Sequence, residues 1–198
     1  MSSSHRDSSN SDAPRSVDDA ILDAAAELVL VLGPRRTQLA EIARRAGVSR
    51  PTVYRRWPDV RAVVGALLTR EIRATQESVV RAADDRESVV AWIVEVAVRI
   101  RDHQVLGALL RSDADLLVEY VVERLGTSQR GLLDALREAL ALGQRHGSVR
   151  AGEPAELAAM VLLIAQSTVQ SHRMVAQLLP EEAWRRELAF ALNGYLKP

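Results

Sequence analysis

Residues 39–57 read LAEIARRAGVSRPTVYRRW, and the Gly47-Val48-Ser49-x-Pro51 pattern within them leaves the backbone few options. A glycine adopts positive φ without steric cost and ends a helix. Ser49 can cap a new helix, and Pro51 falls in its first turn, where a missing N–H does no harm. Before the turn, Leu39, Ile42, Ala43 and Ala46 recur at spacings of three and four and give one apolar helix face. After it, Val48, Val53 and Trp57 can face inward while Arg50, Thr52, Tyr54, Arg55 and Arg56 face out. The pattern predicts two short helices across a tight turn, with Thr37 capping the first and the second running from about Arg50 to Trp57.

The same reading extends along the chain, and no segment sustains the alternation of a strand. Ser16 is placed to cap a first helix whose opening turn holds Asp18 and Asp19. Ile21, Ala25, Leu28 and Leu32 line its apolar side, and Gly33-Pro34 stops it. Pro58-Asp59 starts a long fourth helix reaching towards Arg81. Further helices are expected at about 85–103, 105–111, 113–125, 127–145, 155–176 and 181–196. The first sixteen residues are polar and Ser-rich and read as a disordered tail, with no apolar segment of a signal peptide.

Charge is distributed unevenly. The formal net charge is +0, yet residues 35–73 hold ten arginines against Glu41, Asp59 and Glu71, giving 10 − 3 = +7. The remainder therefore sums to −7, and a basic module on an acidic body points to a polyanionic partner. There is no cysteine, which excludes disulfides and thiol chemistry and suits a reducing cytoplasm. The longest apolar run, LAAMVLLIAQSTVQ, meets Gln166 too early to span a bilayer, so no membrane is expected.

On these residues the chain resembles a known family. Thr37-x3-Glu41-Ile42-Ala43-x2-Ala46-Gly47-Val48-Ser49-x-Pro51-Thr52-Val53-Tyr54-x2-Trp57, preceded by ILDAAAELV, is similar to the DNA-binding domain of TetR-family bacterial regulators. The resemblance covers about residues 20–65. It implies an all-α fold, with a three-helix helix-turn-helix domain at 17–62 and a helical bundle at 63–198 for effector binding and dimerisation. It also implies that Thr37 and Tyr54 contact phosphates, that Arg50, Thr52 and Arg55 read base edges, and that Arg56 lies near the DNA backbone. Trp57 replaces a packing phenylalanine. Where the family commonly has a lysine at the start of helix 4 this chain has Val60, so that phosphate contact has either moved to Arg61 or been lost. An arginine fork on guanine is worth about 1–3 kcal/mol of discrimination, whereas phosphate contacts set register only.

The carboxyl portion offers little catalytic chemistry. No HExxH, GxGxxG or GxxxxGK[ST] pattern occurs, so no metal or cofactor is expected and an enzyme is the remote alternative. Trp92, Val96, His103, Leu106, Leu110, Leu117, Tyr120, Leu136, Met160, Ile164 and Met174 are candidates for an effector cavity, although a plain core explains the apolar ones as well. Leu157, Val161, Ala165 and Thr168, with Trp184, Leu188, Leu192 and Tyr195, are candidates for a two-fold four-helix interface. The expected protein is a cytoplasmic homodimer that binds a palindromic double-stranded operator, most simply as a repressor released by a small hydrophobic effector. The alternative is an activator or architectural protein without an effector.

Overall fold

The computed structural model describes residues 16–112 and 127–198, except for the side chains at 110–112 and 127–128. Among these residues the elements are helical: α1 (Val17–Leu32), a 3₁₀ turn (Pro34–Arg36), α2 (Leu39–Arg45), α3 (Arg50–Arg56) and α4 (Val60–Glu77). There follow α5 (Arg86–Asp102), α6 (Gln104–Ser112), α7 (Thr127–Arg145), α8 (Pro154–Ser171), a second 3₁₀ turn (His172–Met174) and α9 (Glu181–Leu196). The helix expected at 113–125 and the tail at 1–15 lie outside the described residues.

Local chemistry sets the first helices. Ser16 caps α1, its hydroxyl oxygen accepting from the Asp19 N–H at 3.0 Å. At the end of α2, Gly47 has φ 67°. The Val48 N–H reaches Ala43 O at 3.0 Å and the Gly47 N–H reaches Arg44 O at 3.3 Å, the paired closure that a left-handed residue permits. Ser49 then caps α3 by accepting from the Thr52 N–H at 3.3 Å.

Three helices end earlier than their periodicity suggests. α4 stops at Glu77 rather than near Arg81. Beyond it the Val79 carbonyl accepts from the Trp92 indole at 3.0 Å, a tertiary bond that bends the chain away from the helix. α8 stops at Ser171, where the His172 ring lies 2.9 Å from Val169 O and a 3₁₀ turn begins. α3 ends at Arg56, leaving Trp57 extended as its carboxyl cap.

Two apolar cores result. α1 to α4 share one with α6: Ile21, Ile42, Val53, Val63 and Leu67 have no exposed surface, and Val105, Leu106, Ala108 and Leu109 complete it. Trp57 packs against its edge, as expected. α5, α7, α8 and α9 build the other around Val89, Leu136, Leu140, Val161 and Leu192. Half-buried Ile100 touches both. α4 passes through residue 62 without a break and carries the first core into contact with the second body of helices.

Candidate functional site

The Gly47 closure and the Ser49 cap hold α3 on α2, and fully buried Val53 pins its inner side. What remains outside is the face expected from sequence. Arg50 and Arg55 are exposed, and Tyr54 keeps 53% of its surface in solvent. The other predicted contacts are more constrained. Thr52 is half-buried, with its hydroxyl 2.7 Å from that of Ser49. Arg56 turns towards α1 to pair with Asp18, and its Nη1 donates to Thr52 O at 3.4 Å. Arg61 is exposed on the first turn of α4 and has an interaction partner within the protein.

Thr37 departs from its expected role. Gln38 occupies the cap position of α2, and Thr37 is only 4% exposed. Its hydroxyl donates to Gly33 O at 2.9 Å because the Pro34–Arg36 turn folds it back against α1. A hydroxyl so placed neither caps α2 nor presents a donor at the surface.

The basic excess is also offset in three dimensions. Arg45, Arg56 and Arg70 pair with Glu27, Asp18 and Asp23 of α1, while Arg44 and Arg73 pair with Glu41 and Glu77. Over residues 17–77 ten arginines face eight carboxylates, 10 − 8 = +2. The exposed arginines outside these five pairs include Arg50 and Arg55 of α3, together with Arg36 of the 3₁₀ turn.

At the seam of the two cores lies a cavity of about 140 Å³, walled by α4, α5, α6, α7 and α8. Of the residues expected there, Trp92, Val96, Leu106 and Leu136 line it. His103 is not among its lining residues: it closes α5, and its Nε2 sits 3.3 Å from Glu71 Oε2. Met160 and Ile164 face away, because α8 presents Val161, Leu162, Ala165, Gln166, Val169 and Gln170 to the space. Met174 is 85% exposed, carried off by the second 3₁₀ turn. The Leu110 side chain, Leu117 and Tyr120 lie outside the described residues.

The sequence reading passed over Leu68, Thr69, Ile72 and Gln76 of α4, together with Gln129, Gln166 and Gln170. A signal existed for the last pair. Gln166 and Gln170 stand four apart on the most apolar helix of the chain, the spacing that places two side chains on one face. Gln129 Nε2 donates to Gln166 Oε1 at 2.8 Å across the cavity wall.

The expected dimer face is also corrected. Leu157, Val161, Ala165, Trp184, Leu188 and Leu192 are between 0 and 8% exposed within the single chain. They belong to its own carboxyl core and so are unavailable to a partner. Thr168 is half-buried, donating to Ala165 O at 2.8 Å, and Tyr195 lies half-buried with the Arg150 guanidinium 4.6 Å from its ring centre. Other apolar residues of the two helices stay outside: Met160 (44%) and Leu163 (58%) on α8 and Phe190 (76%) on α9.

A polar chain runs beside the cavity. Asp23 of α1 accepts from Arg70 Nη1 at 2.8 Å, Arg70 also donates to Glu71 Oε1 at 2.7 Å, and Glu71 meets His103 at the α5–α6 junction. It joins the helix behind the recognition surface to a wall of the cavity. No described helix is long and apolar enough to cross a membrane.

Comparison with known proteins agrees with this arrangement. Residues 21–67 match the family model described as bacterial regulatory proteins, tetR family. An HTH-type transcriptional regulator of Mycobacterium tuberculosis is 51% identical over 176 residues, covering 89% of this chain and 92% of that protein. Among solved structures, RolR in complex with resorcinol superposes with a TM-score of 0.65 at 13% identity, over 91% of this chain and 87% of the other. FadR from Bacillus subtilis, in complex with stearoyl-CoA, superposes with a TM-score of 0.63 at 21% identity, over 89% and 98%. These two establish likeness of fold. The helix-turn-helix geometry, the family match and the mycobacterial relative converge: the chain belongs to the tetR family of bacterial regulatory proteins and is a DNA-binding transcriptional regulator.

Proposed function

We propose that the protein is a cytoplasmic, homodimeric repressor, without catalytic activity, whose grip on a palindromic operator is released by a small molecule in the seam cavity. The observation that carries this reading is the position of that cavity. One of its walls is α4, the helix that follows the recognition helix without an intervening element. A ligand that displaces Leu68, Thr69 or Ile72 moves the helix that shares a core with Val53 of α3. Arg50, Tyr54 and Arg55 make the principal DNA contacts; Arg56 and Arg61 serve the phosphate backbone, Thr52 supports from the helix start, and Thr37 acts as a structural residue.

Two copies meet through the exposed Met160, Leu163 and Phe190, which places two α3 helices on successive major grooves about 34–36 Å apart. Ligand-bound fold neighbours, one with resorcinol and one with stearoyl-CoA, lend the effector reading support. Coupling between the sites is expected at about 1–3 kcal/mol, a 5- to 150-fold change in DNA affinity. The Asp23–Arg70–Glu71–His103 chain is the polar link that carries part of it.

The test is release. A duplex recovered by binding selection is labelled and held by the purified protein, and small-molecule extracts of cells and of the denatured protein are titrated in. Loss of fluorescence anisotropy, together with reporter derepression from a promoter carrying the site, supports a ligand-released repressor. DNA binding unmoved by every fraction leaves the alternative, an architectural protein or an activator without an effector.

A further inference from the structure

The chemistry of the cavity wall narrows what can occupy it. Among the described residues no charged side chain lines the space. Its polar members are the Thr69 hydroxyl and the amides of Gln76, Gln129, Gln166 and Gln170, and the rest is aliphatic apart from Trp92. Several cations on the flanking helices pair with carboxylates: Arg70 with Asp23 and Glu71, Arg73 with Glu77, Arg99 with Glu95, and Arg101 with Asp102 and Glu181.

Burying an ionised group without a partner costs several kcal/mol, whereas an uncharged polar group needs only hydrogen bonds. A primary amide both donates and accepts, so a wall of amides recognises a neutral group that does the same. Size adds a second limit. A cavity of about 150 Å³ admits benzene, and the space here is about 140 Å³. We infer that the cavity selects an uncharged ligand of about one ring, with a single amide, hydroxyl or carbonyl end held at Gln129 and Gln166 and an apolar body against Trp92 and the α4–α5 wall. It discriminates against carboxylates, acyl thioesters of coenzyme A and organic cations. This rests on the cavity being the effector site.

The test uses three probes of one shape with the full-length protein at pH 7.5: 4-ethylbenzamide, 4-ethylbenzoate and 4-ethylbenzylammonium. Binding is followed by calorimetry and by Trp92 fluorescence, with Trp92→Phe subtracting the signals of Trp57 and Trp184. The neutral amide is expected to bind at least about tenfold more tightly than either ion, since even one unpaired charge exceeds the 1.4 kcal/mol that a factor of ten represents. Gln166→Met, or Gln129→Met if the first variant loses its helical circular dichroism, is expected to erase most of that preference. An ion binding as tightly as the amide overturns the ligand class and leaves the effector reading intact. Amide binding unaffected by both glutamine substitutions overturns the assignment of the polar end. Binding by none of the three overturns class and size together, while the release assay reports separately on the effector reading.

Discussion

The two cores of this protein treat space and charge in opposite ways. Around α1 to α4 the interior is filled by residues such as Ile42, Val53 and Leu67 with no exposed surface, and Arg45 and Arg56 stay outside on carboxylate partners. Where α5, α7 and α8 meet α4 and α6, the packing leaves about 140 Å³ open, and amides face the void. A helix that must enter a DNA groove in one register needs a seat that does not yield. A body that must respond to a ligand needs a place where packing is incomplete. Under the proposed function, the contrast gives reading to the tight core and sensing to the loose one.

The sharpest way to break that contrast is to create a hole in each half. Ile42→Ala should cost about 2–5 kcal/mol in denaturant melts, because its tightly packed surroundings have little freedom to collapse. Leu136→Ala, at the cavity wall, should cost visibly less, since its neighbours already border space into which they can relax. Equal costs would mean that the two cores are equally rigid.

Next in size is assembly. Phe190→Glu puts a charge on the proposed interface of Met160, Leu163 and Phe190. It should convert the protein to monomers by sedimentation at micromolar concentration, with helical content retained. A dimer that survives would move the interface elsewhere. Filling the cavity is gentler: Ala165→Leu should raise stability by about 0.5–2 kcal/mol and leave DNA binding intact. It should also abolish release by ligand. A variant that still responds would place the effector outside the seam.

The smallest effect concerns the surface ties of the sensing half. Hydrogen bonds from Arg99 and then Arg185 hold the Glu95 carboxyl below its ordinary value of 4.5, binding α5 to α9. Asp102 is lowered chiefly by its bond to Arg101. A carboxylate with a depressed folded value stabilises fully above its unfolded value and loses that contribution as pH falls through the folded one. Melting temperature should therefore fall below about pH 4.5, and Glu95→Gln should flatten that slope slightly.

The legible parts of the molecule were those fixed by short-range chemistry. Ser16, Gly47, Ser49 and Pro51 act within four residues of themselves, so the start of α1, the end of α2 and the start of α3 followed from letters alone. The end of α4 did not, because it depends on an indole thirteen residues away. Nor did the role of Thr37, where a 3₁₀ turn redirects a hydroxyl that composition would place on a cap. Apolar periodicity says that Leu157, Val161 and Trp184 are buried, but it carries no information on whether the covering surface belongs to the same chain. Of the eight described candidates for the cavity only four line it, for the same reason. A wall and a core have the same composition, and only Gln166 and Gln170 on an apolar helix mark the difference.

The account stands or falls on whether the exposed face of α3 reads DNA. Binding sites for the purified protein should be selected from a random duplex library, in parallel with Arg55→Ala. The prediction is an enriched palindrome for the native protein, and a mutant that folds normally yet loses about 1–3 kcal/mol of affinity and relaxes its preference at one position per half-site. No enrichment at low salt from ligand-free protein, or an identical palindrome from the Arg55→Ala variant, would contradict it.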